Sequence, residues 1–84
     1  MPSAEFTAAA DAVQTLSTKP SDDDLLKLYG LFKQATIGDN NTSKPTFDIR
    51  GRYKWDAWNA NKGKSQEEAE KEYIALVEEL KSKQ

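Results

Sequence analysis

The amino-acid sequence predicts an all-α fold built from four helices. Four segments place apolar residues at three- and four-residue intervals, the spacing that gathers them on one face of a helix. Turn-forming stretches rich in Pro, Gly, Asn and Ser separate these segments, and no stretch has the pattern of a β-strand. At 84 residues, the chain is expected to form one domain spanning residues 1–84.

Polar and turn-forming residues mark the ends of the first two helices. The first helix is predicted from about Ser3 to Ser17, and Thr18-Lys19-Pro20 ends it. The second helix follows Ser21, whose hydroxyl can accept a hydrogen bond from a free backbone amide of the first turn. The aspartates at 22–24 suit the positive end of its dipole, and the helix is predicted to stop near Gly38.

The second half of the chain is predicted to hold a loop and two more helices. Residues 39–47 are rich in Asn, Ser and Pro, so they are expected to form a loop. Asp48 can cap a third helix that ends at Lys62-Gly63. Ser65–Glu68 matches a capping box, in which side chains at both ends satisfy two backbone amides reciprocally. The fourth helix then presents one apolar face, made of Ala69, Tyr73, Ile74, Val77 and Leu80.

Composition removes several classes of function. The chain has no Cys and no His, so it lacks a thiolate nucleophile, the usual general base and the commonest transition-metal ligand. No metal site is predicted, and an enzyme is the least favoured class. There is no basic segment followed by an apolar run at the start and no apolar stretch of about 20 residues, so a soluble cytoplasmic protein is expected.

Positive charge is concentrated in the middle of an acidic chain. Residues 41–64 contain six Lys or Arg and two Asp, a net charge of +4, whereas residues 1–40 and residues 65–84 each sum to −3. This distribution predicts an anion site in the middle of the chain. The alternative is that these charges only solvate helix surfaces.

Two clusters combine positive charge with aromatic rings. Tyr29 and Lys33 are four residues apart and share a helical face, although Lys33 could also extend to the rim of an ordinary core. In the second cluster Arg50 and Lys54 are stacked, with Trp55 beside them. Such a segment could bind single-stranded nucleic acid, but the acidic flanks favour a compact phosphorylated molecule.

Two sequence strings resemble the acyl-CoA-binding protein family. They are Tyr29-x-x-Phe32-Lys33-Gln34-Ala35-Thr36-x-Gly38-Asp39 and Gly51-x-x-Lys54-Trp55-Asp56-Ala57-Trp58-Asn59, and Tyr73-Ile74 follows them. The resemblance spans essentially the whole chain. It implies an up-down-down-up four-helix bundle with the ligand in a bowl between helices. It also implies a free-standing intracellular carrier that binds medium- to long-chain fatty acyl-CoA and performs no catalysis.

The resemblance also implies roles for individual residues. Tyr29, Lys33, Lys54 and Tyr73 would contact the coenzyme A head group, with the lysines on its phosphates. Arg50 stands where relatives often have lysine, and Trp55 would flank the ligand. The expected core residues are Phe6, Val13, Leu26, Trp58, Ile74, Val77 and Leu80.

The expected ligand is fatty acyl-CoA, with no cofactor, no nucleic acid and no stable membrane insertion. We expect a monomer that makes transient contacts with acyl-CoA-using enzymes. Two alternatives from other classes stay open at this point. One is a helical module that binds partner proteins, and the other is a single-stranded nucleic-acid binder that uses the segment Arg50–Trp58.

Overall fold

The computed structural model describes residues 3–84, and it confirms the predicted all-α class. Four helices are present: α1 (Ala4–Val13), α2 (Asp22–Thr36), α3 (Ile49–Asn59) and α4 (Gln66–Ser82). No strand occurs within residues 3–84. Residues 1 and 2 of the predicted domain lie outside the described residues.

Each helix begins where the sequence places a capping side chain. A hydroxyl or carboxylate oxygen of Ser3, Ser21, Asp48 or Ser65 accepts a hydrogen bond from the backbone N–H three residues on, at 3.0–3.2 Å. These bonds satisfy donors that the helix itself leaves unpaired. The predicted capping box is only half formed, because Glu68 donates its N–H to Ser65 but makes no return bond to the Ser65 amide.

Two helices end earlier than predicted. α1 stops at Val13 instead of Ser17, because the Thr15 backbone and hydroxyl both donate to the Ala12 carbonyl at 3.0 Å and tighten the chain. α3 stops at Asn59 instead of Lys62-Gly63. Its chain continues as a turn over 60–63, which closes at Gly63 with a φ of +90°.

α2 and α4 form the centre of the bundle. α2 packs against both α3 and α4, whereas α1 contacts α4 and α3 contacts only α2. The Cα positions extend over 36 × 27 × 15 Å, so the molecule is flat. The main cluster of buried side chains comprises Phe6, Ala9, Leu28, Leu31, Ala35, Ala69, Tyr73, Val77 and Leu80.

The structure confirms most of the expected core but corrects three residues. Phe6, Trp58, Val77 and Leu80 are buried as predicted. Val13 and Ile74 are only partly buried at the margin of the main cluster. Leu26 is also partly buried, and it lines an open groove of about 270 Å³ beside Leu31, Ala57, Ala60 and Glu72. Leu26 faces this groove because α2, α3 and α4 do not close over it.

Candidate functional site

Tyr29 and Lys33 lie one turn apart on α2, as their spacing predicts. Both side chains are half-buried. The Lys33 Nζ atom is 6.0 Å from the centroid of the Tyr29 ring and 5.3 Å from the centroid of the Trp58 ring. The Lys33 ammonium group therefore rests between two aromatic rings, where the attraction of a cation to a ring face helps to hold it.

α3 brings a second ammonium group to the same tyrosine. The Lys54 Nζ atom is 5.4 Å from the centroid of the Tyr29 ring. Neither Lys33 nor Lys54 forms an ion pair with a carboxylate anywhere in residues 3–84, although five other lysines do. The structure thus places two uncompensated positive charges around one phenol ring, and this arrangement favours an anion such as a phosphate.

Tyr73 lies in an aromatic cluster with Phe6 and Phe32. The ring of Phe6 is 4.9 Å from Tyr73 and 5.5 Å from Phe32, centroid to centroid. Phe32 is partly open to solvent, whereas Tyr73 is 5% exposed. Burial raises the pKa of Tyr73. At neutral pH the phenol is therefore uncharged and free to donate a hydrogen bond.

Arg50 is exposed on α3, one turn before Lys54. It forms no ion pair within the described chain. Its guanidinium therefore adds a third uncompensated charge to the face of α3 that carries Lys54. Within residues 3–84, Arg50 forms no cation–π contact with Tyr29 and no hydrogen bond to Tyr29 or Lys33.

Trp55 is held against the loop that precedes α3. Its indole N–H donates to the Thr42 carbonyl at 2.9 Å, and the Lys44 Nζ atom lies 5.7 Å from its ring centroid. Within residues 3–84, the hydrogen bond and the cation–π contact of the Trp55 side chain go to this loop, and none goes to Tyr29, Lys33 or Lys54. Trp55 thus anchors the 40–44 segment to α3, a role that was not predicted.

Trp58 contacts Lys33 and the end of α2 in addition to packing as a buried residue. Its indole N–H donates to the Gly38 carbonyl at 2.8 Å. This bond ties the end of α2 to the last turn of α3, and the same ring contacts the Lys33 ammonium group. The sequence indicated Trp58 only as a core residue, so its link to Lys33 was missed.

A buried glutamine of α2 is hydrogen-bonded to the segment that follows α2 and to the segment that precedes α4. Gln34 Nε2 donates to the Asp39 carboxylate at 2.8 Å and to the Lys64 carbonyl at 2.7 Å. Its Oε1 atom is buried without a partner in the described residues. Because both Nε2 partners are acceptors, the amide cannot be turned round without placing oxygen against oxygen. Gln34 was missed, although a glutamine between the apolar Leu31 and Ala35 was a detectable sign of a buried polar contact.

Asp39 receives two hydrogen bonds at the same junction. Its Oδ1 accepts from the Gln34 side chain and from the Gly63 N–H at 2.9 Å. These bonds, the Gln34 bond first, hold the pKa of Asp39 below its ordinary value. The ionised carboxylate therefore joins the 38–40 segment to the turn that leads into α4.

No group of three His, Cys, Asp or Glu side chains within residues 3–84 is arranged to hold a metal ion. None of the described helices is both long enough and apolar enough to cross a bilayer. Two features of the described residues bring predicted site residues together: the two lysines around Tyr29, and the Phe6–Phe32–Tyr73 cluster, in which Phe32 directly precedes Lys33 on α2.

Comparison with known proteins identifies the family of this chain. The model of a family described as acyl CoA binding protein matches residues 3–77. The chain belongs to the acyl-CoA-binding protein family. It is 61% identical over 79 residues to the acyl-CoA-binding protein of Saccharomyces cerevisiae, covering 93% of this chain and 91% of that protein. A homolog from Drosophila melanogaster is 55% identical over 84 residues, covering 99% and 98%.

Solved structures of acyl-CoA-binding proteins share the fold. The crystal structure of acyl-CoA-binding protein 2 from Oryza sativa superposes with a TM-score of 0.90 at 48% identity, covering 94% of this chain and 89% of that chain. The predicted four-helix bundle of the acyl-CoA-binding protein family is thereby confirmed.

Proposed function

We propose that this chain binds medium- to long-chain fatty acyl-CoA esters as a carrier. The observation that supports this most directly is the pair of unpaired ammonium groups, Lys33 and Lys54, around Tyr29. A nucleotide-like head group provides phosphates for the lysines and a ring that can pack on the tyrosine. Membership of the acyl-CoA-binding protein family supports the same ligand.

Each proposed site residue receives a separate role. Lys33 and Lys54 bind phosphates of coenzyme A, the 3′-phosphate above all, and Arg50 adds charge at the rim of α3. Tyr29 packs on the nucleotide, and Tyr73 donates its hydroxyl to the head group. Trp55 flanks the ligand, and its hydrogen bond to the Thr42 carbonyl fixes the loop beside α3.

The apolar surface beside the lysines suits the acyl part of the ligand. Phe6, Phe32 and Tyr73 form a continuous aromatic cluster, of which Phe32 is partly exposed. Each methylene removed from water contributes about 0.8 kcal/mol. The ester should therefore bind far more tightly than free coenzyme A or free fatty acid, since only the ester engages both surfaces.

A carrier function needs no reacting side chain. The family is one of binding proteins, and we propose that this member returns its ligand unchanged. We further propose that it acts as a cytoplasmic monomer that meets acyl-CoA-using enzymes transiently. Neither the protein-interaction module nor the nucleic-acid binder receives support from the family comparisons.

Calorimetric titration tests the proposal directly. Palmitoyl-CoA, coenzyme A and palmitate are titrated separately into the purified chain. The ester should bind with high affinity and the two fragments far more weakly. Equal affinity for palmitate and its ester would contradict the proposal. Because the chain has no Cys, a thiol reagent added afterwards reports only coenzyme A released by hydrolysis, and none is expected above the protein-free rate.

A double-mutant cycle tests the role of Lys33. Lys33→Ala should lower the affinity by about 1.5–3 kcal/mol, the usual range for hydrogen bonds to charged groups. Palmitoyl-CoA without its 3′-phosphate should lose a similar amount on the parent protein and little more on the variant. Strictly additive losses would show that Lys33 does not meet this phosphate. Lys71→Ala is the matched control, because Lys71 is exposed and pairs only with Glu67 on α4.

A further inference from the structure

The two lysines around Tyr29 are held in place to different degrees. Lys33 is half-buried, and its ammonium group lies 5.3 Å from the centroid of the Trp58 ring and 6.0 Å from that of Tyr29. Lys54 is exposed, and its only cation–π contact within residues 3–84 is with Tyr29, at 5.4 Å. Because a lysine side chain is a flexible stem, the additional ring restricts Lys33 more than Lys54 is restricted.

The Trp58 ring is itself fixed in orientation. Trp58 is 7% exposed, and its indole N–H donates a hydrogen bond to the Gly38 carbonyl at 2.8 Å. A buried indole cannot turn away from such a partner without leaving both the N–H and the carbonyl unsatisfied. The ring face that contacts the Lys33 ammonium group is therefore set by the fold.

Gly38 connects Trp58 back to Lys33. The Gly38 N–H donates to the Gln34 carbonyl at 3.1 Å and to the Lys33 carbonyl at 3.4 Å, at the end of α2. Gly38 adopts a φ of +102°, the left-handed conformation in which glycine commonly ends a helix. The contacts thus run from the Lys33 carbonyl to Gly38, from Gly38 to Trp58, and from the Trp58 ring to the Lys33 ammonium group. Both ends of the Lys33 residue are held by this closed set of contacts.

We propose that Trp58 is a positioning residue for ligand recognition, because its ring holds the Lys33 ammonium group where it meets the 3′-phosphate of coenzyme A. The inference rests on the proposed function, in which Lys33 binds this phosphate. Trp58 acts through Lys33 and not through a contact of its own with the ligand. An ammonium group that is already in place loses less freedom on binding, so more of the charge-assisted bond contributes to affinity.

A ratio of two affinities isolates this effect from the packing role of Trp58. Palmitoyl-CoA and palmitoyl-3′-dephospho-CoA differ only in the phosphate that Lys33 is proposed to bind. A variant that is partly unfolded binds both ligands more weakly by the same factor, since only its folded fraction binds. The affinity ratio of the two ligands therefore does not change when a substitution affects stability alone.

Calorimetric titration of both ligands into the parent and two Trp58 variants tests the proposal. Trp58→Leu removes the ring, and the affinity ratio should fall by about fivefold, the effect of one cation–π contact. Trp58→Phe keeps a ring but loses the N–H that binds Gly38, so its ratio should lie between those of the parent and Trp58→Leu. A Trp58→Leu variant that keeps the ratio of the parent would overturn the proposal.

Two matched controls show whether the effect passes through Lys33. Val77→Ala shortens a fully buried side chain of α4 and should lower stability while leaving the affinity ratio unchanged. In a Lys33→Ala background, addition of Trp58→Leu should leave the ratio unchanged, because no ammonium group remains to be positioned. An equal fall of the ratio in Val77→Ala, or the same fall in the Lys33→Ala background, would overturn the proposal.

A measurement on the ligand-free protein tests the ring contact independently of binding. Protons that lie over the face of an aromatic ring resonate upfield, so the ε-methylene protons of Lys33 should resonate upfield of those of Lys71, which is exposed and pairs only with Glu67. This upfield shift should persist in Tyr29→Leu, because Trp58 remains. Lys33 resonances at the position of those of Lys71, in the parent or in Tyr29→Leu, would overturn the proposal even if Trp58→Leu does not fold.

Failure of this inference and failure of the proposed function give different results. A parent protein that does not bind palmitoyl-CoA would refute the proposed function and the inference with it. A parent that binds both ligands equally well would remain a carrier, but Lys33 would not recognise the 3′-phosphate and the inference would fail. A parent that prefers palmitoyl-CoA and keeps this preference in Trp58→Leu would refute only the positioning role of Trp58.

Discussion

The two halves of α3 differ in how they are packed: the second half is buried against α2, and the first half is exposed. In the second half, Trp58 is buried and bonded to Gly38, and the helix backbone approaches α2 so closely that only glycine fits opposite Ala57. In the first half, Ile49 and Tyr53 face solvent. One helix thus packs closely against α2 with one half and exposes apolar side chains with the other. Substitutions in the two halves should therefore have very different effects on folding.

The largest effect is expected at Trp58. Trp58→Ala should lower the free energy of unfolding by roughly 3–5 kcal/mol, because it empties a buried site and leaves the Gly38 carbonyl without its donor. Urea unfolding measures this loss. Trp55→Phe provides the comparison, since Trp55 is only partly buried, and it should lose much less. An unchanged unfolding curve for Trp58→Ala would mean that the second half of α3 is not anchored as described.

The same close packing of α3 on α2 predicts a loss of stability when Gly30 is replaced by a larger residue. A Cβ atom at Gly30 would stand 2.3 Å from the Ala57 carbonyl oxygen, which belongs to the backbone and cannot rotate away. Gly30→Ala should therefore push α2 and α3 apart and lower the free energy of unfolding by about 1–3 kcal/mol. This loss should exceed the gain of about 1 kcal/mol in helix propensity.

Gly51→Ala is the matched change in the first half of α3. Its Cβ atom would meet the Asp48 carboxylate at 2.8 Å, and that side chain can turn aside. The gain in helix propensity and the disturbed cap should nearly cancel, since each amounts to about 1 kcal/mol. Equal losses from the two glycine substitutions would remove the distinction between the halves.

Local features of this fold could be predicted from the sequence, and long-range contacts could not. The caps at Ser3, Ser21, Asp48 and Ser65 depend on residues three positions away, so their spacing was sufficient. The pairing of Tyr29 with Lys33 was predictable for the same reason. The approach of Lys54 to Tyr29 joins different helices, and only the family resemblance indicated it.

The contacts that the sequence did not predict join residues that are far apart in the chain but close together in the fold. Gln34 binds the Lys64 carbonyl thirty residues away, and Trp55 binds the Thr42 carbonyl across the loop. No periodicity encodes such partners, because any backbone carbonyl can accept the bond. Leu26 was misplaced for a related reason: its face of α2 is apolar, but neither neighbouring helix covers it.

A smaller effect on stability is expected when Asp39 is protonated at acid pH. Asp39 follows Gly38, whose carbonyl accepts the hydrogen bond from Trp58 in the second half of α3. Its pKa is lower in the folded state than in the unfolded state, so its stabilisation is present above the ordinary value of 3.8. This contribution is lost as the pH falls through the lower, folded-state pKa. Asp39→Asn should remove it, and the difference between parent and variant in urea midpoint should therefore shrink between about pH 5 and about pH 2. A difference that stays constant over this range would show that Asp39 is not preferentially ionised in the fold.

A small effect is also expected at Ile49, in the exposed first half of α3. Ile and Ser have similar helix propensities, so Ile49→Ser changes apolar exposure with little change in backbone preference. Because Ile49 is already largely exposed, the free energy of unfolding should change by no more than about 0.5 kcal/mol. Urea unfolding at several protein concentrations provides the measurement. A loss above about 1 kcal/mol would mean that Ile49 is covered in solution. If that loss appeared only at high concentration, the cover would be a second copy of the chain, and the first half of α3 would be an interface between copies.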